Sequence, residues 1–213
     1  MNSIQTVPAT EPYLVSGVDE RPVLLYLHGF NSSPKSQKAN ELRDWLAQGN
    51  WALDLQVPQL GFDPEQALAV ATRVIEEAGP RIRGIVGSSL GGYYAAVLSQ
   101  RFGLPAALVN PAVYPYRLLQ DYLGPQHNPY SGEHYTLTEA HVAALAAMDP
   151  GEPDDPQRLF MLLQTGDETL DYRQALARFP ASPAWIQAGG DHRFQRFEVV
   201  LPAIMAFLGF SSR

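Results

Sequence analysis

The sequence predicts an α/β fold: a mostly parallel six-stranded sheet with helices on both faces and a small cap insertion. Three observations carry the prediction. Six short runs are almost continuously apolar, the pattern of strands buried on both faces. Helix-forming stretches alternate with them, as crossovers between parallel strands must. One connection, from about residue 113 to 157, is too long for an ordinary crossover and rich in Pro, Tyr, Gly and His.

The elements follow in order. Residues 1–20 are polar, carry two prolines and read as a flexible leader; one domain fills 21–213. VLLYLHG (Val23 to Gly29) is the first strand. SPKSQKANELRDWLAQ reads as a helix with Ser33 as N-cap and Pro34 in its first turn. ALDLQVPQ (Ala52 to Gln59) is the second strand, and DPEQALAVATRVIEEAG a helix whose Asp63 and Gln66 fit a capping box. RIRGIVGSS is a strand, LGGYYAAVLSQRFG a helix and AALVNPA (Ala106 to Ala112) a strand. The 113–157 excursion reads as a cap or lid holding one alanine-rich helix, TEAHVAALAAMD. The alternation resumes with strand RLFMLLQTGDE, helix DYRQALARF, strand PAWIQAGGDH and helix FEVVLPAIMAFLGF.

Composition narrows the class. The chain has 213 residues, 46% hydrophobic and 17% charged, enough for one sizeable core. It has no cysteine, which removes disulfide and thiol chemistry. The formal net charge is -7 and no Lys/Arg cluster forms a phosphate-binding stripe, so nucleic acid is not an expected partner. No apolar run reaches the roughly 18 residues of a membrane span, and residues 1–20 lack the basic and apolar regions of a secretory signal. A cytoplasmic protein with a small-molecule partner is the expectation; oligomeric state is left open.

In an open parallel sheet, ligands bind beyond the carboxyl ends of the strands. Those ends carry His28-Gly29-Phe30, Gly87-Ser88-Ser89-Leu90-Gly91, Gly166-Asp167-Glu168 and Gly189-Gly190-Asp191-His192. A hydroxyl, a carboxylate and an imidazole thus arrive in the chain order of an α/β-hydrolase triad. A serine raised on a tight strand-to-helix turn leaves no room for side chains two residues before and after it. G-x-S-x-G supplies glycine at both places, and the spacing selects Ser89; Ser88 would need glycine where Val86 and Leu90 stand. The N–H of Leu90, at the helix start, and that of Phe30, in the loop after the first strand, are the candidate oxyanion donors. His192 is the candidate base, since an imidazole with an ordinary pKa of about 6.5 can take and return a proton at neutral pH. Asp167 is the candidate that orients it.

Blander readings compete. Ser32 and Ser33 read as capping or loop serines, and His28 as a loop-shaping residue. Asp167 could merely cap the next helix, and Glu168 and Asp171 are rivals for its role. Asp191 adjoins His192 too closely to face it and reads as loop-shaping or solvated. His127, His134 and His141 recur every seven residues, but no helix period through Pro129 and Gly132 brings them to one face, so no metal is expected. Tyr114, Tyr116, Tyr122, Tyr130 and Tyr135 either line the pocket or pack the excursion onto the body.

LLYLHGFNSSPKSQKA, GIVGSSLGGYYAAVLSQRF, LVNPAV, DYLG, NPY and LLQTGDETLDYRQA together resemble the YqiA-type family of small bacterial esterases, within the α/β-hydrolase superfamily. The resemblance runs from about Val23 to Gly209. It implies a cofactor-free cytoplasmic hydrolase of carboxylic esters or acyl thioesters, with nucleophile Ser89, acid Asp167 and base His192. Two features depart from the family pattern: the leader before Arg21, and GGDHRF where GGNHAF is expected, which sets Arg193 beside the base. The aromatic, alanine-rich excursion points to apolar acyl groups of short or medium length. Two other functions remain open on sequence alone: a non-catalytic binding or scaffold protein on the same fold, and an acyltransferase or C–C hydrolase using the same three residues.

Overall fold

The computed structural model describes residues 20–211. Apart from Glu20, the leader read over residues 1–20 lies outside them. The chain enters at β1 (Val23–Leu27), five residues that are all buried. Strand period two turns Leu24 and Tyr26 to one face and Leu25 and Leu27 to the other. Each pair joins a different apolar cluster, so both faces of the strand are covered. Each of these fully buried leucines contributes about 1.5–3 kcal/mol of burial free energy.

Helix α1 (Gln37–Gln48) follows, then β2 (Asp54–Gln56) and α2 (Pro64–Ala78). β3 (Ile82–Ser88) leads directly into α3 (Leu90–Phe102), and β4 (Ala106–Val109) comes next. The excursion contains α4 (Pro115–Leu118), strands β5 (Gly124–His127) and β6 (His134–Leu137), and α5 (Glu139–Ala147). The chain returns through β7 (Leu159–Gln164), α6 (Tyr172–Arg178), β8 (Ala184–Gln187) and α7 (Phe197–Phe207). Six strands form one parallel sheet in the order β2-β1-β3-β4-β7-β8. Leu42, Leu46, Phe197, Val200 and Ile204, from α1 and α7, close one face. Residues of α2, α3, α5 and α6 close the other.

Three sequence readings are corrected. Ser33 does not cap a helix: its hydroxyl accepts the N–H of Lys35 at 3.0 Å in a local turn, and α1 begins only at Gln37. The second strand shrinks from eight residues to Asp54–Gln56, because it is an edge strand paired only with Val23–Leu25 and Pro58 has no N–H to extend the ladder. The excursion is more than one helix, since β5 and β6 form an antiparallel hairpin with His127 opposite His134. Asn128 closes that hairpin by accepting the N–H groups of Tyr130 (2.9 Å) and Ser131 (3.3 Å). The Asp63 cap is present: one carboxylate oxygen accepts from Glu65 (2.9 Å) and Gln66 (3.0 Å).

The hairpin is fastened to the loop after β1. Asn128 donates to the Ser32 carbonyl at 3.1 Å, the Tyr135 hydroxyl to Asn31 Oδ1 at 2.7 Å, and Asn31 to Gln126 at 3.3 Å. Phe30 meets Tyr122 edge-on with ring centroids 6.1 Å apart. The cap thereby fixes the loop that carries Phe30.

Candidate active site

Ser89 is the single residue between β3 and α3, and its backbone has φ 56° and ψ −121°. Residues with a Cβ avoid this region at a cost of order 1–3 kcal/mol, so neighbours must hold it there. The Ser89 N–H donates to Val109 O at 3.0 Å, and its carbonyl accepts from Gly92 (2.9 Å) and Ala112 (3.1 Å). The flanking glycines are required by space. A Cβ on Gly87 would stand 2.2 Å from the Gly91 carbonyl oxygen, and one on Gly91 2.1 Å from the Leu27 carbonyl oxygen. Ser88 is buried in the β3–β4 ladder opposite Val109.

The sheet brings three sequence-nominated side chains into one hydrogen-bonded line. His192, in the loop after β8, places Nε2 3.1 Å from Ser89 Oγ. Its Nδ1 lies 2.9 Å from Asp167 Oδ2 and 3.0 Å from Oδ1. The Asp167 side chain is almost fully buried, whereas the imidazole keeps 24% of its surface exposed toward the cleft. Asp167 Oδ1 also accepts the N–H groups of Thr169 (2.9 Å) and Leu170 (2.8 Å). The capping and imidazole-holding readings of Asp167 therefore coexist. Glu168 takes a different contact, accepting the His192 backbone N–H at 2.9 Å. Asp171 caps α6 and pairs with Arg173, away from the imidazole.

The loop bearing His192 is held by two buried amides that sequence reasoning passed over. Gln164, fully buried at the end of β7, accepts with Oε1 from the N–H groups of Asp191 (3.0 Å) and Gln195 (2.9 Å). Its Nε2 donates to Gln195 O at 2.7 Å. Asn110, at the end of β4, donates to Asp191 O at 3.1 Å and accepts from the Gln164 N–H at 3.0 Å. Asp191 shapes the loop through its backbone, and its Oδ2 accepts from the Gln195 amide at 2.9 Å. A polar residue closing an otherwise apolar strand was the available signal. Replacing Gln164 by Leu keeps the volume but strands two part-buried N–H groups. The expected loss is about 2–4 kcal/mol of unfolding free energy, measurable by urea denaturation, with a fall in any activity that depends on His192.

Phe30 lines the same cleft as Ser89 and His192, and Leu90 opens α3. Among the described residues, neither of their backbone N–H groups has a protein acceptor. His28 is buried, which lowers its pKa; its Nδ1 faces Gly29 O at 3.1 Å and its Nε2 accepts the Leu60 N–H at 3.3 Å. It joins two loops and stands apart from the serine.

Residues 23–209 match the model of the uncharacterised protein family UPF0227. The chain belongs to UPF0227. Solved structures extend the likeness at the level of fold. A hydrolase candidate from Agrobacterium vitis S4 is 23% identical, with TM-score 0.68 over 90% of this chain and 89% of its own. Est1E from Butyrivibrio proteoclasticus, solved with ferulic acid bound, is 14% identical, with TM-score 0.65 over 91% and 90%. The esterase domain of a Rhodothermus marinus protein is 17% identical, with TM-score 0.64 over 91% and 90%. The α/β-hydrolase fold of this UPF0227 chain and its likeness to esterases stand on these matches.

The other singled-out residues of the UPF0227 chain go separate ways. His127 and His134 stack across the hairpin at 4.4 Å, while His141 caps α5 by accepting the Thr138 N–H at 3.1 Å. Among the described residues, no three His, Asp or Glu side chains gather as a metal site, and no helix is long and apolar enough to cross a membrane. Tyr130 lines the cleft. Tyr135 packs flat on Phe62 at 4.2 Å and so holds the excursion to the body, whereas Tyr116 donates to Asp149 at 2.7 Å within the excursion itself.

Proposed function

We propose that this chain is a serine hydrolase cleaving carboxylic esters or acyl thioesters through an acyl-enzyme. The observation that carries the reading is the unbroken line Ser89 Oγ–His192–Asp167, with the serine on a positive-φ turn at the floor of a cleft. Serine is a weak nucleophile while protonated; Nε2 of His192 takes the proton as Oγ attacks the acyl carbonyl. Asp167 keeps the Nδ1 proton on the side away from the serine and stabilises the imidazolium. The free N–H groups of Phe30 and Leu90 receive the charge developing on the carbonyl oxygen. His192 then returns the proton to the leaving alcohol or thiol. Water, deprotonated by the same imidazole, releases the acid.

Asp167→Asn tests this reading against a structural role. The amide retains an oxygen for the Thr169 and Leu170 N–H groups but presents an N–H to the ring, which reverses the tautomer. Hydrolysis of a p-nitrophenyl ester is expected to fall on the order of 10³–10⁴-fold, as tautomer reversal does in comparable triads, with little change in melting temperature. Activity within a few-fold of wild type would leave Asp167 as a cap alone.

A further inference from the structure

The cleft holding Ser89 and His192 is more polar than an apolar acyl chain needs. Tyr26, Ser36, Lys38, Ser88, Tyr130 and Arg193 all contribute to its lining. Lys38 reaches it from the first turn of α1. Its ammonium donates to the Arg193 carbonyl at 2.7 Å. An ammonium has three donors, so two remain, and among the described residues no carboxylate forms an ion pair with it. Burial pushes its pKa down to about 8, against the opposing pull of Glu41, Asp191 and Asp167.

Beside it, the hydroxyl of the wholly buried Tyr26 is sealed from solvent and has only the hydroxyls of Ser36 and Ser88 around it. Arg193 adds a second positive charge at the exposed edge of the cleft. Leaving a part-buried cation without a counter-charge is costly, and native structures rarely do so without a use. The protein as a whole carries a net charge of -7 and repels anions. A local cation pair against that field is a selective feature.

We propose that this cleft recognises an anionic group on the substrate, a carboxylate or a phosphate, through Lys38, so that the substrate is a small acidic ester or thioester. The inference rests on the hydrolase reading above. It replaces the apolar acyl group expected from the excursion's composition. The cleft encloses about 300 Å³, the lower end of the range for small-molecule sites. An anion seated against Lys38 would meet two free N–H donors, with the carbonyl carbon left for Ser89.

Matched pairs of esters test it. Monomethyl adipate is compared with methyl hexanoate, and 2-(butyryloxy)ethyl phosphate with 2-hydroxyethyl butyrate, by pH-stat. The first pair puts the anion on the acyl side as a carboxylate, the second on the alcohol side as a phosphate. Wild type is expected to prefer one anionic member at least 10-fold in kcat/KM. In Lys38→Met that ratio should fall close to one, and in Lys38→Arg it should be partly kept. Both esters require the same His192, so its titration cancels in the ratio. The preference should therefore decline as pH rises through about 8, where Lys38 loses its charge. The other charged or titratable groups around it are Glu41, Asp167, Asp191, Arg193, His192, Tyr26 and Tyr130.

A second readout is free of turnover. Adipate or butyl phosphate should slow fluorophosphonate labelling of Ser89 in wild type and not in Lys38→Met. Labelling without protection, or an anion preference unchanged in Lys38→Met, overturns the proposal and leaves the hydrolase reading standing. Absence of labelling in folded wild type overturns the hydrolase reading, and this inference with it.

Discussion

Ser89→Ala is expected to abolish both labelling by a fluorophosphonate and ester hydrolysis, while Ser88→Ala keeps both. Removing a serine nucleophile of this kind costs about 10⁶-fold in kcat, because the partner groups act as a unit and little rate survives the loss of any one. The structure separates the two serines sharply. Ser89 Oγ lies 3.1 Å from an imidazole nitrogen, whereas Ser88 sits in the strand ladder beneath it. Alanine at position 89 keeps a Cβ, and therefore the same strained backbone, so the fold should persist. Intact mass after labelling reads the outcome directly: one adduct on wild type and Ser88→Ala, none on Ser89→Ala. An adduct surviving in Ser89→Ala would move the nucleophile elsewhere and end the present reading.

Gly91→Ala should prevent stable folding. The added methyl carbon would stand 2.1 Å from the Leu27 carbonyl oxygen and 2.7 Å from that of His28. Both are backbone atoms, and β1 is paired on both sides, so no flexible side chain can move away. Overpacking normally costs about 1–3 kcal/mol; a clash with fixed backbone should exceed that and consume much of a domain's 5–15 kcal/mol. Gly61→Ala is the comparison. It has φ +73° but open space around it, so only the conformational cost of roughly 1–2 kcal/mol applies. Circular dichroism and urea titration of the two variants would separate steric from conformational loss. A folded Gly91→Ala protein of near-normal stability would show that α3 can withdraw from β1.

The sheet was legible in the sequence because its signals are local and dense. Runs such as VLLYL and LFMLLQ can be buried on both faces only as strands of a covered sheet, and that is where they lie. Ser89, Asp167 and His192 could be nominated because a parallel sheet delivers all its strand ends to one edge, and the side chains do meet there. Other features depend on partners distant in sequence. β5 contains Pro125 and spans four residues, and it becomes a strand only because Asn128 and Tyr135 find the loop after β1. Gln164 and Asn110 look like strays in apolar runs until register sets them against the 191–195 loop. Lys38 reads as one of many charges on a polar helix, and only its place beside His192 gives it a task. The start of α1 was misplaced because Ser33 and Pro34 imitate a helix entrance while in fact forming a turn.

Ser89 and His192 are 103 residues apart, and the strand order decides when they meet. From β3 onward, every strand of the large sheet is laid beside the one before it: β4 on β3, β7 on β4, β8 on β7. A chain leaving the ribosome N-terminus first can thus extend its sheet in the order of synthesis, with no gap waiting for a later strand. Ser89 is in place early, and its imidazole partner arrives only after the last strand. The nascent polypeptide therefore carries Ser89 without its imidazole partner through the synthesis of the next 103 residues. It acquires the complete hydrogen-bonded line only when nearly all of the sheet exists to hold it.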